Sequence, residues 1–159
     1  MPILETRTDT WPDEAACAAS AAALATRAAL RDAFVELHGP LGAGKTTFAR
    51  HLLRALGVVG PIKSPTYAVL EPYEIEIGGA PVILSHFDFY RFDDPQEWED
   101  AGFRDVFAAS GLKLAEWPEK AEGLLPEADL QIHIEPLDGD ARRVRFDAHT
   151  ARGRALLST

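Results

Sequence analysis

The sequence has 159 residues, 47% hydrophobic and 26% charged, with 12 glycines and 11 prolines, which excludes collagen-like and disordered chains and fits one domain spanning residues 1–159. A chain of this length buries roughly two thirds of its unfolded surface and needs no covalent staples. Its 16 Lys and Arg against 25 Asp and Glu leave a formal charge of -9; DNA is therefore not an expected partner, and any nucleic-acid role is indirect. The single cysteine, Cys17, cannot close an internal disulfide. Neither the N-terminal residues nor the alanine-rich run from Ala15 to Leu30, interrupted by Ser20, Thr26 and Arg27, reads as a targeting or membrane segment. A cytoplasmic protein with no membrane partner is expected.

In chain order, Asp13 to Leu30 reads as a helix, with alanines of high propensity behind a Pro12-Asp13-Glu14 entrance. Ala33 to His38 alternates as a short strand. A helix follows from near Gly44, with Phe48, Leu52, Leu53 and Leu56 on one face and Gly57 as its stop. Tyr67 to Ile77 and Val82 to Phe89 flank Gly78-Gly79 as a hairpin, so the sheet is expected to be mixed. Pro95 to Ala109 is helical with a break near Gly102, and Leu112 to Glu116 is a strand. A second hairpin, Leu130–Pro136 with Arg142–Asp147, turns at Asp138-Gly139-Asp140, and Ala151 to Leu157 is a short helix. The fold class expected is a single-domain α/β P-loop NTPase with a mixed parallel and antiparallel sheet flanked by helices.

Chemistry concentrates in Gly39-Pro40-Leu41-Gly42-Ala43-Gly44-Lys45-Thr46, which satisfies G-x-x-x-x-G-K-[ST] between a predicted strand and a predicted helix. Glycines let backbone N–H groups converge on phosphate oxygens, and the helix N-terminus favours the anion. Lys45 is then expected to bridge the β- and γ-phosphates and the Thr46 hydroxyl to bind Mg²⁺. A second metal anchor and a residue to orient water are still required, and Asp88 and Glu116, each ending a predicted strand, are the candidates. His86 shares a strand face with Asp88 and either orients it or packs as a core histidine.

Together GPLGAGKTTFAR (39–50), KSPTY (63–67), HFDFYR (86–91) and AEWP (115–118) resemble the bacterial TsaE family over essentially the whole chain. The resemblance implies an ATPase of tRNA threonylcarbamoyladenosine biosynthesis. It would act with TsaD and TsaB on adenosine 37 of tRNAs reading ANN codons, without itself transferring the threonylcarbamoyl group and with tRNA met only through the complex. It also implies that Leu41, Gly42, Ala43, Gly44, Lys45, Thr46 and Thr47 hold ATP, that Thr46 and Glu116 ligate Mg²⁺, and that Lys45, Asp88 and Glu116 serve hydrolysis. Glu14 and Gly139 match positions bordering the base, and Ser64 and Thr66 a loop that senses the γ-phosphate. Trp117 packs beside the nucleotide, at a partner surface, or in the core.

Three other functions compete. A small-molecule kinase would need an arginine-bearing lid; Arg142, Arg143 and Arg145 are candidates, although their strand reads as a solvated face. A GTP switch would need an N-K-x-D segment, which the sequence lacks. A non-catalytic nucleotide-dependent module would share the same loop. The motifs contain no evident arginine finger, so slow basal hydrolysis stimulated by partners is expected.

Overall fold

The computed structural model describes residues 2–65 and 67–158. Strands β1 (Glu5–Trp11), β2 (Phe34–His38), β3 (Leu70–Ile77), β4 (Ala80–Asp88), β5 (Leu112–Glu116), β6 (Leu130–Pro136) and β7 (Arg142–Ala148) form one sheet in the order β1-β7-β6-β2-β5-β4-β3. The central β6-β2-β5-β4 block is parallel, whereas β3–β4, β6–β7 and β1–β7 are antiparallel. This is the mixed α/β sheet expected from the two glycine-turned hairpins. Helices α1 (Glu14–Ala25), α2 (Lys45–Leu56), α3 (Pro95–Asp100), α4 (Phe103–Ala108) and α5 (Ala151–Leu157) accompany it. No helix among the described residues is long and apolar enough to cross a membrane.

Strand alternation sends side chains to two different cores. Val35, Leu37, Leu114, Ile132, Ile134 and Val144 meet Phe48, Leu52 and Leu53 of α2 and Ala21 and Leu24 of α1. Trp11 stacks on Phe48 there, with ring centroids 5.4 Å apart. The opposite face carries an aromatic cluster in which Phe34, Phe87 and Phe89 pack with Trp98 of α3 and Phe103 of α4. Anchoring α2 on the first core brings its N-terminus to the C-terminal ends of β2, β4 and β5. In open α/β sheets that edge is where ligands bind.

Three local features depart from the sequence expectations. The first helix ends at Ala25, not Leu30, and Ala28–Asp32 form a 3-10 turn. The helix buries Cys17, Ala21 and Leu24 along one stripe; continued at 100° per residue it would carry Leu30 roughly 150° around from that stripe. Leu30 is fully buried, and the chain breaks helix at Arg27, whose backbone is extended, to place it there. β1 was not expected at all. Only Trp11 at its end is buried, and it is held by pairing with β7 more than 130 positions away, from Glu5↔Ala148 to Trp11↔Arg142. Finally, β3 begins at Leu70 because the chain turns at Val69, which has φ 67 and donates its N–H to the Pro65 carbonyl at 2.7 Å.

Candidate active site

The glycine loop leaves β2 at His38 and enters α2 at Lys45, with Gly42 and Gly44 at φ 79 and 107, a region that L side chains rarely adopt. Leu41 through Thr47 line a cavity of about 390 Å³, closed on its other sides by Ser64, Asp88, Tyr90, Arg91, Glu116, Trp117 and Arg142. The loop residues, Ser64, both carboxylates and Trp117 thus meet in one place. Thr66 lies outside the described residues.

Asp88 and Glu116 are register partners in the parallel β4–β5 pair, so both carboxyls leave the sheet side by side beneath the loop. Glu116 is 1% exposed, and each of its oxygens is engaged. The Thr46 hydroxyl donates to Oε1 at 2.7 Å, and His86 Nε2 lies 2.7 Å from Oε2. An ionised carboxylate only accepts, so the imidazole carries its proton on Nε2. His86 therefore holds Glu116; the sequence had left it either orienting Asp88 or packing as a core histidine, and it is a fully buried histidine bonded to the neighbouring strand's carboxylate. The strand face was read correctly; the partner lies across the β4–β5 boundary. Asp88 is also buried and accepts the Tyr90 N–H at 2.9 Å. Among the described residues no cluster of three His, Cys, Asp or Glu side chains could cage a metal. The hydroxyl–carboxylate pair is instead the sparse oxygen set that suits a hard divalent cation completed by phosphate and water.

Lys45 is 5% exposed. Its ammonium donates to the Gly39 carbonyl and lies 3.4 Å from the centroid of the Trp117 ring. Burial pushes the Lys45 ammonium below its ordinary pKa, opposed by Glu116, Glu119 and Asp88. Trp117 has a left-handed backbone, φ 55, and packs against Tyr90 at 4.9 Å between centroids. It is a wall of the cavity and a cover for the lysine. Beyond it the rim is aromatic and basic, with the Arg91 guanidinium 4.6 Å from the Tyr67 ring centroid.

A second cavity of about 180 Å³ shares Ala43, Gly44, Thr47 and Arg142 with the first and is completed by Trp11, Asp13, Glu14, Cys17 and Asp140. Glu14 sits here, its carboxylate 3.2 Å from His51 Nε2. Gly139, at φ 63, shapes the β6–β7 turn that presents Asp140 to this cavity. Burial, with Glu14 adding to it, pushes the Cys17 thiol up to about 11.

Arg142 is the residue the sequence reading misplaced. It was grouped with Arg143 and Arg145 on a solvated face. Those two do lie there, more than half exposed and paired with Glu135 at 3.6 Å and Asp147 at 3.1 Å. Alternation turns Arg142 to the other face, where its guanidinium donates to the carbonyls of Ala43 at 2.7 Å and Gly42 at 3.3 Å. Period-2 alternation separates Arg142 from its neighbours, but nothing local says which face meets the loop. Tyr90 and Arg91 were visible only as part of the HFDFYR stretch.

Comparison with known proteins gives a consistent answer. A family model described as threonylcarbamoyl adenosine biosynthesis protein TsaE matches residues 11–144. The tRNA threonylcarbamoyladenosine biosynthesis protein TsaE of Haemophilus influenzae is 45% identical over 124 residues, 78% of this chain and 75% of that protein. The Bacillus subtilis protein of the same name is 38% identical over 70% of this chain and 67% of its own length. Among solved structures, the crystal structure of Bacillus subtilis YdiB superposes with a TM-score of 0.74 at 27% identity, covering 99% of this chain and 95% of that one. With the motifs matched in order and the fold shared end to end, this chain belongs to the TsaE family.

Proposed function

We propose that this protein is a Mg²⁺-dependent ATPase serving tRNA threonylcarbamoyladenosine biosynthesis alongside TsaD and TsaB, with the transfer chemistry and the tRNA held by its partners. The observation that carries the reading is the 2.7 Å contact between the Thr46 hydroxyl and Glu116, directly below the glycine loop. A bare phosphate-binding turn has no need of a buried carboxylate at that point. A nucleotide site does, because its cation wants one hydroxyl and one carboxylate from the protein.

In this reading the loop amides and the first turn of α2 bind the polyphosphate, and Lys45 exchanges the Gly39 carbonyl for phosphate oxygens. Thr46 and Glu116 would hold Mg²⁺, whose role is to neutralise charge on the terminal phosphates. His86 fixes the Glu116 carboxylate in the orientation the cation requires. Asp88, buried beside Glu116 at the end of β4, orients the attacking water. Tyr90 and Trp117, which line the cavity, limit water at the terminal phosphate, and the exposed Tyr67 beside Arg91 offers a surface to the partners. Of the three arginines a kinase lid would use, only Arg142 lines the main cavity, where it bonds loop carbonyls, while Arg143 and Arg145 lie on the opposite sheet face.

Phosphate release measured with and without TsaD–TsaB and tRNA tests the proposal. Slow turnover of the isolated protein, a large stimulation by the complex, and loss of both in Lys45→Ala are expected. Undiminished hydrolysis by folded Lys45→Ala would remove the loop from the reaction. ADP formed only with an added metabolite, without free phosphate, would favour a kinase.

A further inference from the structure

In a trans peptide the N–H and C=O point in opposite directions. The Gly42 carbonyl belongs to the same peptide as the Ala43 N–H, and the Ala43 carbonyl to the same peptide as the Gly44 N–H. Arg142 takes both carbonyls from outside the loop, through Nη2 and Nε. The Ala43 N–H is spent on the Pro40 carbonyl at 3.1 Å. The Gly44 N–H is thereby turned away from Arg142, into the concavity that opens at the start of α2. The guanidinium is itself fixed, because Nη1 donates to Ala141 O at 2.9 Å and Gly139 O at 3.3 Å in the β6–β7 turn.

From this geometry we propose that Arg142 is a positioning residue of the phosphate site, clamping two glycine-loop peptides so that the loop is pre-formed before nucleotide arrives. The inference rests on the nucleotide reading above and adds to it a residue that belongs to no sequence motif. A loop with glycines at three of its first six positions has wide conformational freedom. Holding two of its peptides from behind removes part of the ordering cost that binding would otherwise bear. The fork of Nε and Nη2 is what spans adjacent carbonyls; an ammonium in the same place supplies charge without that spacing. Position 44 itself is held to glycine by its backbone, at φ 107, and a Cβ there would meet Arg142 Nε only at an ordinary contact distance of 3.9 Å.

The test compares Arg142→Met and Arg142→Lys with Arg143→Met, a variant of the same charge as the first that lies on the opposite face. ADP affinity by calorimetry is expected to weaken about tenfold or more in both Arg142 variants, the scale of one good charge-assisted contact. It should stay within about twofold in Arg143→Met. For turnover in the TsaD–TsaB complex, KM should rise while kcat is kept, since the clamp acts on binding throughout the reaction. In nucleotide-free protein the Gly44 amide should exchange faster with solvent in both Arg142 variants. Wild-type affinity in Arg142→Lys would reduce the residue to a bulk charge. Unchanged affinity and unchanged Gly44 exchange in Arg142→Met would make it a structural contact. Either result overturns the proposal, and if Arg142→Met fails to fold, Arg142→Lys decides alone. Absence of ADP binding by the wild type would sink the nucleotide reading as well, an outcome distinct from wild-type binding that the Arg142 variants share.

Discussion

Replacing His86 with phenylalanine keeps the ring volume in a fully buried position and removes the one donor to Glu116 Oε2 among the described residues. A hydrogen bond to a buried carboxylate is worth ~1.5–3 kcal/mol. Part of that loss is offset because His86 Nδ1, which has no hydrogen-bond partner, disappears with the ring. A net destabilisation of about 2 kcal/mol follows, a fall in Tm of about 4–8 °C for a chain of this size. The functional effect is larger in proportion. Glu116 keeps only the Thr46 contact and can rotate, and loss of a group that orients a metal ligand costs about 10–100-fold in metal affinity. Titrating Mg²⁺ against the ADP-induced rise in Tm should show the half-saturating concentration moving up by at least about tenfold in His86→Phe. His86→Gln, whose amide N–H can reach the carboxylate, should recover part of it. Unchanged Mg²⁺ dependence in folded His86→Phe would show that the histidine only fills space and would refute the assignment of Glu116 as its dependent ligand.

Other substitutions probe the frame around the site. Gly153→Ala should lower Tm by about 2–12 °C, because the new Cβ would fall 1.9 Å from the Asp129 carbonyl oxygen, and overpacking of this kind costs ~1–3 kcal/mol. The pKa of His133 is lowered to about 4 by burial first, then by His38 and Arg145. The unfolded chain therefore binds a proton between pH 6.5 and 4 that the folded chain refuses, and stability should fall as pH drops through that window. Denaturant titrations should show His133→Gln losing about 2 kcal/mol less than wild type between those limits, after allowing for partial exposure. Cys17, with its thiol raised to about 11, should be alkylated by iodoacetamide at pH 8 roughly 100-fold more slowly than a free thiol. A rate near that of free cysteine would mean the helix end around Glu14 opens readily.

The alternating and helical runs of the centre were legible because each buries one face. Leu112–Glu116, Leu130–Pro136 and Ala151–Leu157 form where their periodicity placed them, and the two hairpins follow their glycine-containing turns. β1 was invisible for the converse reason. Thr6, Thr8 and Thr10 are exposed on an edge, and the strand exists because β7 supplies its hydrogen bonds. The end of the first helix was likewise hidden, since alanine propensity says nothing about where Leu30 must go.

Within the site, the sequence by itself determined the identities: a glycine loop with its lysine and threonine, two carboxylates at strand ends, and a tryptophan after the second. These are chemical types at fixed spacing, set by local geometry of strand, turn and helix. Only the tertiary structure decided their partners. Strand order placed β4 beside β5, so that His86, open in the sequence between orienting Asp88 and packing in the core, met Glu116; pairing of β7 between β1 and β6 turned Arg142 onto the back of the loop. Side-chain direction follows from local alternation, but what lies across the gap depends on which distant strand the backbone has hydrogen-bonded, and that is a property of the whole sheet.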